Sequence, residues 1–91
     1  MANGRAHILI QGRVQRVFLR QTMKEKARLL EIFGWVRNLP DGRVEAVLEG
    51  DEEKIVRIVE WIKLGPALAD VHGVEFVWEE YKNEFKSFDI K

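Results

Sequence analysis

Cysteine is absent from the chain, which removes disulfides, thiol nucleophiles and cysteine-ligated zinc and suits a reducing compartment. Histidine occurs only at His7 and His72, without metal-ligand spacing, so no metal and no cofactor is expected. No apolar run approaches the roughly 20 residues that span a bilayer, and no signal-like segment follows Met1. A soluble, cytoplasmic protein with no membrane partner is the expectation. An excess of charge of one sign is also missing, since 15 Lys/Arg balance 15 Asp/Glu. The balance is uneven along the chain: residues 1–43 carry nine basic and three acidic side chains, residues 44–91 six and twelve. A basic first half favours anionic ligands only weakly, because halves in sequence can interleave in space.

What is present fits one domain spanning residues 1–91, with 46% hydrophobic residues for a single core. Ala6, Ile8 and Ile10 alternate with His7, Leu9 and Gln11, the period of a strand. From about Leu19 to Glu31 the period turns helical, with Leu19, Met23, Ala27 and Leu30 on one stripe. Phe33–Asn38 and Arg43–Glu49 read as a hairpin around Leu39-Pro40-Asp41-Gly42. Asp51, Glu52 and Glu53 open a second helix, whose stripe is Ile55, Ile58, Val59 and Ile62 and whose stop is Lys63-Leu64-Gly65-Pro66. Val74, Phe76 and Trp78 alternate through a fourth strand. After a polar turn at Tyr81-Lys82-Asn83-Glu84, Phe88 and Ile90 mark a fifth. The order β-α-β-β-α-β suits an α+β, ferredoxin-like split β-α-β sandwich, with two helices on one face of an antiparallel sheet. Trp35, Trp61 and Trp78 are expected in the core, Trp61 with the least support because it lies off the main stripe.

The chemistry points to two places. Val14 to Arg20 joins the first strand to the first helix, where amides without intrahelical partners favour an anion. Arg20, in the first turn, is placed to donate a planar pair of hydrogen bonds to phosphoryl oxygens, although spacing alone favours a solvated helix arginine. Asn38 ends its strand beside the turn, where an amide commonly bonds its own backbone.

Taken together, Gly12-x-Val14-Gln15-x-Val17-x-x-Arg20 and Gly34-Trp35-Val36-x-Asn38 resemble the two motifs of the acylphosphatases, and Gly65-Pro66 and Phe88-x-Ile90 extend the likeness over nearly the whole chain. The resemblance implies hydrolysis of acyl phosphates without metal or covalent intermediate. It implies that Arg20 and the amides of Gln15, Arg16, Val17, Phe18, Leu19 and Arg20 bind the phosphoryl group, while Asn38 orients the attacking water. The implied partners are a small acyl phosphate and inorganic phosphate, as product and competitor, met by a monomer. Arg16 departs from the pattern where the family has glycine, and Leu19 where it usually has an aromatic residue. A positive φ at Arg16 costs about 1–2 kcal/mol, whereas a negative φ leaves its side chain as added charge at the rim. Leu19 is expected in the core.

Two other classes compete. A noncatalytic anion-binding or protein-interaction module is compatible with the substituted loop. RNA binding suits the strand order and the basic first half, but Val44–Glu49 lacks the exposed aromatics that stack bases, so no nucleic acid is expected.

Overall fold

The computed structural model describes residues 2–91. Its elements are β1 (Asn3–Arg13), α1 (Leu19–Leu29), β2 (Phe33–Asn38), β3 (Val44–Asp51), α2 (Glu52–Lys63), β4 (Asp70–Glu79) and β5 (Phe88–Ile90). One sheet takes the order β4-β1-β3-β2-β5. α1 lies over β2 and β5, and α2 over β1, β3 and β4.

The period-two patterns select which side of the sheet meets the helices. Ala6, Ile8 and Ile10 of β1, Val36 of β2 and Val44, Ala46 and Leu48 of β3 are all fully buried. They meet Leu19, Met23 and Ala27 from α1 and Ile55, Ile58, Val59 and Ile62 from α2. Each large aliphatic side chain so buried contributes about 1.5–3 kcal/mol. The hairpin is held at its tip by the amide of Leu39 donating to the Arg43 carbonyl at 2.8 Å and the amide of Arg43 donating to Asp41 Oδ1 at 3.0 Å.

Tertiary pairing adds what alternation cannot show. β1 runs on to Arg13 because Gly12 and Arg13 pair with Val71 and Asp70 of β4, after a register shift at Gln11/Gly12. β2, β3, β1 and β4 pair antiparallel, but β5 joins β2 in parallel, so the sheet is mixed. The polar segment expected as a turn at Tyr81–Glu84 is instead part of a crossing. β4 and β5 occupy opposite edges, about 19 Å apart at four strand spacings, and residues 80–87 bridge them across the face without helices. Eight extended residues reach about 27 Å, enough for that span.

Glu49, only 2% exposed, fastens this crossing. Its carboxylate accepts from the amides of Lys82 (2.9 Å) and Glu84 (2.8 Å) and from Arg5 Nη1 (3.3 Å). Burial pushes the Glu49 carboxyl up, but the two amides and the guanidinium outweigh it and hold the group below its ordinary range. Because the folded value lies below the unfolded one, the stabilisation is complete above the ordinary glutamate value of about 4.3 and is lost as pH falls through the lower folded value. Glu49→Gln is expected to lower stability by about 1–3 kcal/mol at pH 7, because one of the two crossing amides then faces a carboxamide N–H instead of an acceptor, while Arg5 keeps Glu79 and Glu84. Urea unfolding at pH 7 and pH 3 checks this, since the gap between wild type and variant should narrow at the acidic end.

The tryptophans depart from expectation. Trp35 lies on the helix-free face, half-buried, with Arg37 and Lys91 stacked over its ring at 5.1 and 4.7 Å. Trp78 is 41% exposed at an edge strand, in edge contact with Phe76. Only Trp61 packs against the core, from its periphery, with Lys26 over its outer ring face. Large rings on a small sandwich find room at its margins, where one side of the ring meets solvent or a cation.

Candidate active site

β1 and β2 both pair antiparallel with β3, so they run in the same direction and end at the same edge of the sheet. Ile10, Val44 and Asn38 form one row across β1, β3 and β2, which puts Asn38 about 10 Å from Ile10, two strand spacings away. All three share the helix-facing side, where Ile10 and Val44 are fully buried. Asn38 therefore faces the layer that α1 occupies, at the end from which α1 starts. β5 reaches the same end, with Ile90 beside Val36.

The connection from β1 to α1 is built by alternate anchoring and exposure. Val14 and Val17 are buried, and so is Leu19, as expected. Arg16 and Phe18 point outward, Phe18 with 71% of its surface exposed. This alternation needs a left-handed backbone at both outward residues, and φ is +61° at Arg16 and +62° at Phe18. Left-handed residues between right-handed or extended ones turn successive N–H groups toward one concavity. The left-handed alternative for Arg16 is thus the one adopted, at a cost of about 1–2 kcal/mol, and Phe18 carries a similar cost.

From Gln15 to Gln21 no backbone N–H donates to a backbone carbonyl or a side chain among the described residues. The first return bond is Thr22 N–H to the Phe18 carbonyl at 3.0 Å. The other helix sharpens the contrast. At α2, Asp51 caps the Glu53 amide at 2.9 Å, and Glu52 and Glu53 supply negative charge in the first turn. α1 has no capping side chain and no acidic residue in its first turn; Arg20 stands there instead. One helix satisfies its N-terminus internally, while the other presents free donors and a cation. A tetrahedral anion suits that combination.

Gln15 contributes more than its amide. Its side-chain Nε2 donates to the carbonyls of Leu39 (2.8 Å) and Arg43 (2.9 Å), tying the loop to the turn that follows Asn38. Sequence reasoning missed this link, and the only signal for it was a carboxamide in a loop otherwise anchored by apolar residues. Gln15→Ala is expected to cost about 1–3 kcal/mol through the loss of two hydrogen bonds, although the Leu39 and Arg43 carbonyls keep the amides of Gly42 and Leu39, and to lower turnover about tenfold by letting the loop drift. Thermal melts and phosphate-release rates measure the two effects separately.

Arg20 is half-buried and makes no side-chain hydrogen bond or ion pair among the described residues. It lines a cavity of about 650 Å³ with Val14, Arg16, Phe18, Leu19, Gln21 and Ile90. Asn38 does not line that cavity. Its Oδ1 is sequestered from solvent without any hydrogen-bond partner, so the expected bond to its own backbone is not formed. An orphaned buried acceptor costs about 1–3 kcal/mol, and one is kept where a ligand or water completes it.

The motif glycines act through the fold. Gly12 (φ +124°) and Gly34 (φ +141°) lie where a Cβ would overlap the carbonyl oxygens of Asp70 and Val47. Each lets two strands approach closely, Gly12 at the loop end of β1 and Gly34 at the end of β2 remote from Asn38. His7 bonds Glu45 on the helix-free face and His72 bonds Asp70 on edge strand β4, and neither lines the cavity that holds Arg20.

Comparison with known proteins agrees with this geometry. The Acylphosphatase family model matches residues 6–90. An acylphosphatase of Pyrobaculum islandicum is 55% identical over 91 residues, covering 99% of this chain and 96% of that protein. Among solved structures, an acylphosphatase from Coxiella burnetii superposes with a TM-score of 0.92 at 32% identity, covering 98% of this chain and 93% of that one. One from Bacillus subtilis gives 0.91 at 31% identity, covering 97% and 98%. With the loop of the first motif and the last residue of the second meeting at one end of this sheet, and with likeness extending over nearly its full length, the chain belongs to the acylphosphatase family.

Proposed function

We propose that this chain hydrolyses the carboxyl–phosphate anhydride of small acyl phosphates, releasing a carboxylate and inorganic phosphate. The observation that carries the proposal is the row of unpartnered amides from Gln15 to Gln21 beside the unpaired Arg20. In the proposed reaction the amides of Gln15 to Arg20 and the Arg20 guanidinium hold the three peripheral phosphoryl oxygens. They hold the charge spread over these oxygens and keep the group in line for attack in the transition state. Asn38 Oδ1 accepts a hydrogen bond from a water, which fixes a lone pair of that water toward phosphorus. The water oxygen bonds to phosphorus while the bond to the acyl oxygen breaks, its electron pair leaving with the carboxylate. The proton shed by the water ends on phosphate or in bulk solvent. A carboxylate is a stable leaving group, so positioning and charge stabilisation suffice, and no side chain needs to act as a general acid.

In this scheme the protein works as a cytoplasmic monomer, and inorganic phosphate is both product and competitive ligand. The test is phosphate release from acetyl phosphate with a metal chelator present. Expected are turnover well above the spontaneous rate and competitive inhibition by inorganic phosphate; release no faster than in buffer would overturn the proposal.

A further inference from the structure

Arg16 stands out beside the phosphoryl cradle. It is exposed, it holds a left-handed backbone that an arginine adopts only at a cost, and it has no ion-pair partner among the described residues. It shares the cavity with Arg20, and no carboxylate lines that cavity to neutralise either cation. The remaining wall is mainly apolar, from Val14, Phe18, Leu19 and Ile90. Phe18 has the same kind of backbone and leaves most of its ring in solvent, so neither outward side chain recovers its backbone cost through packing within the protein. The cavity thus combines one cation at the helix N-terminus, an apolar wall and a second cation at the rim.

We infer that Arg16 is a specificity-determining residue that selects acyl phosphates bearing a second anionic group on the acyl portion. This rests on the hydrolase reading above, which assigns Arg20 to the phosphoryl group and leaves the Arg16 guanidinium free. The acyl body lies against Phe18 and Ile90, and its distal carboxylate or phosphate meets Arg16. An arginine donates in a fixed planar fork, so it reads such a group by geometry as well as by charge.

The experiment compares benzoyl phosphate with 4-carboxybenzoyl phosphate, using the ratio of their kcat/KM values so that any change in the cradle common to both cancels. Wild type is expected to favour the carboxylated substrate roughly fivefold at low salt, the size of one solvent-accessible ion pair, and less in 0.5 M sodium chloride. Arg16→Gln should bring the ratio close to one, whereas Arg16→Lys, with the same backbone demand and the same charge, should retain most of the preference. A wild-type ratio near one, or a preference that survives in Arg16→Gln, would overturn the assignment while leaving the hydrolase intact. Failure of wild type to hydrolyse either compound would overturn both.

Discussion

Arg20→Ala is expected to lower kcat/KM for an acyl phosphate by about 10³ and to weaken inorganic phosphate binding by about 10². Both losses have one origin. The guanidinium lies within the first turn of α1 and makes no ion pair among the described residues, so its donors are available to the anion that the proposed reaction places on the amides. Two charge-assisted bonds at roughly 1.5–3 kcal/mol each account for the loss of affinity. The transition state loses more than the ground state does, because in-line positioning is lost along with charge stabilisation. Arg20→Lys should restore part of the binding but little of the rate, because an ammonium is a point charge without the planar fork. Stability should hardly change, since no protein group depends on this side chain. Phosphate titration by calorimetry together with steady-state kinetics separates the two quantities. A variant that keeps its phosphate affinity would remove Arg20 from the site.

Asn38→Ala should show the opposite division. Turnover is expected to fall by about 10²–10³ while phosphate affinity stays near wild type, because in the proposed reaction the carboxamide orients water and leaves the phosphoryl oxygens to other groups. Stability supplies an independent readout. Oδ1 is buried without a partner, so removing it should leave the fold unchanged or stabilise it by up to about 1 kcal/mol, even though a small void opens. A variant more stable and nearly inactive is the pattern of a residue retained for activity at some cost to stability. Asn38→Asp is a sharper probe: a carboxylate beside the bound dianion should depress phosphate binding by charge repulsion, which alanine does not. If Asn38→Ala lost phosphate affinity as severely as Arg20→Ala, the two roles would have to be merged.

The frame of the fold was legible because its core elements obey simple periods. Phe33–Asn38 alternates cleanly and forms β2 with those bounds, and the stripe Leu19, Met23, Ala27 is the buried face of α1. Asp51 ahead of Glu52 and Glu53 marked the start of α2, because that helix caps itself with its own carboxylates. Features created by distant pairing were not legible. Gly12 and Arg13 belong to β1 only because β4 lies alongside them. The parallel β5 and the crossing held by Glu49 depend on which edge each strand occupies, information absent from any local window.

At the site, the resemblance of the two motifs to those of the acylphosphatases pointed to Arg20, Asn38 and the loop, but not to the manner of their assembly. The positive φ of Arg16 has a local cue, since glycine is usual there; that of Phe18 has none, because a phenylalanine before a helix ordinarily packs inward. Its outward orientation follows from Val17 and Leu19 both entering the core on either side of it. The side-chain latch from Gln15 to Leu39 and Arg43 was likewise invisible, as it joins segments separated by a helix and a strand.

The most direct measurement is a titration of the ¹⁵N-labelled protein with inorganic phosphate, followed by amide chemical shifts. The amides of Gln15 to Gln21 should move together and saturably, with the Arg20 Nε–H resonance, while Glu52 and Glu53 at the self-capped start of α2 stay in place. Saturable shifts centred elsewhere, or none along Gln15 to Gln21 at phosphate concentrations that inhibit turnover, would contradict an anion cradle at the mouth of α1.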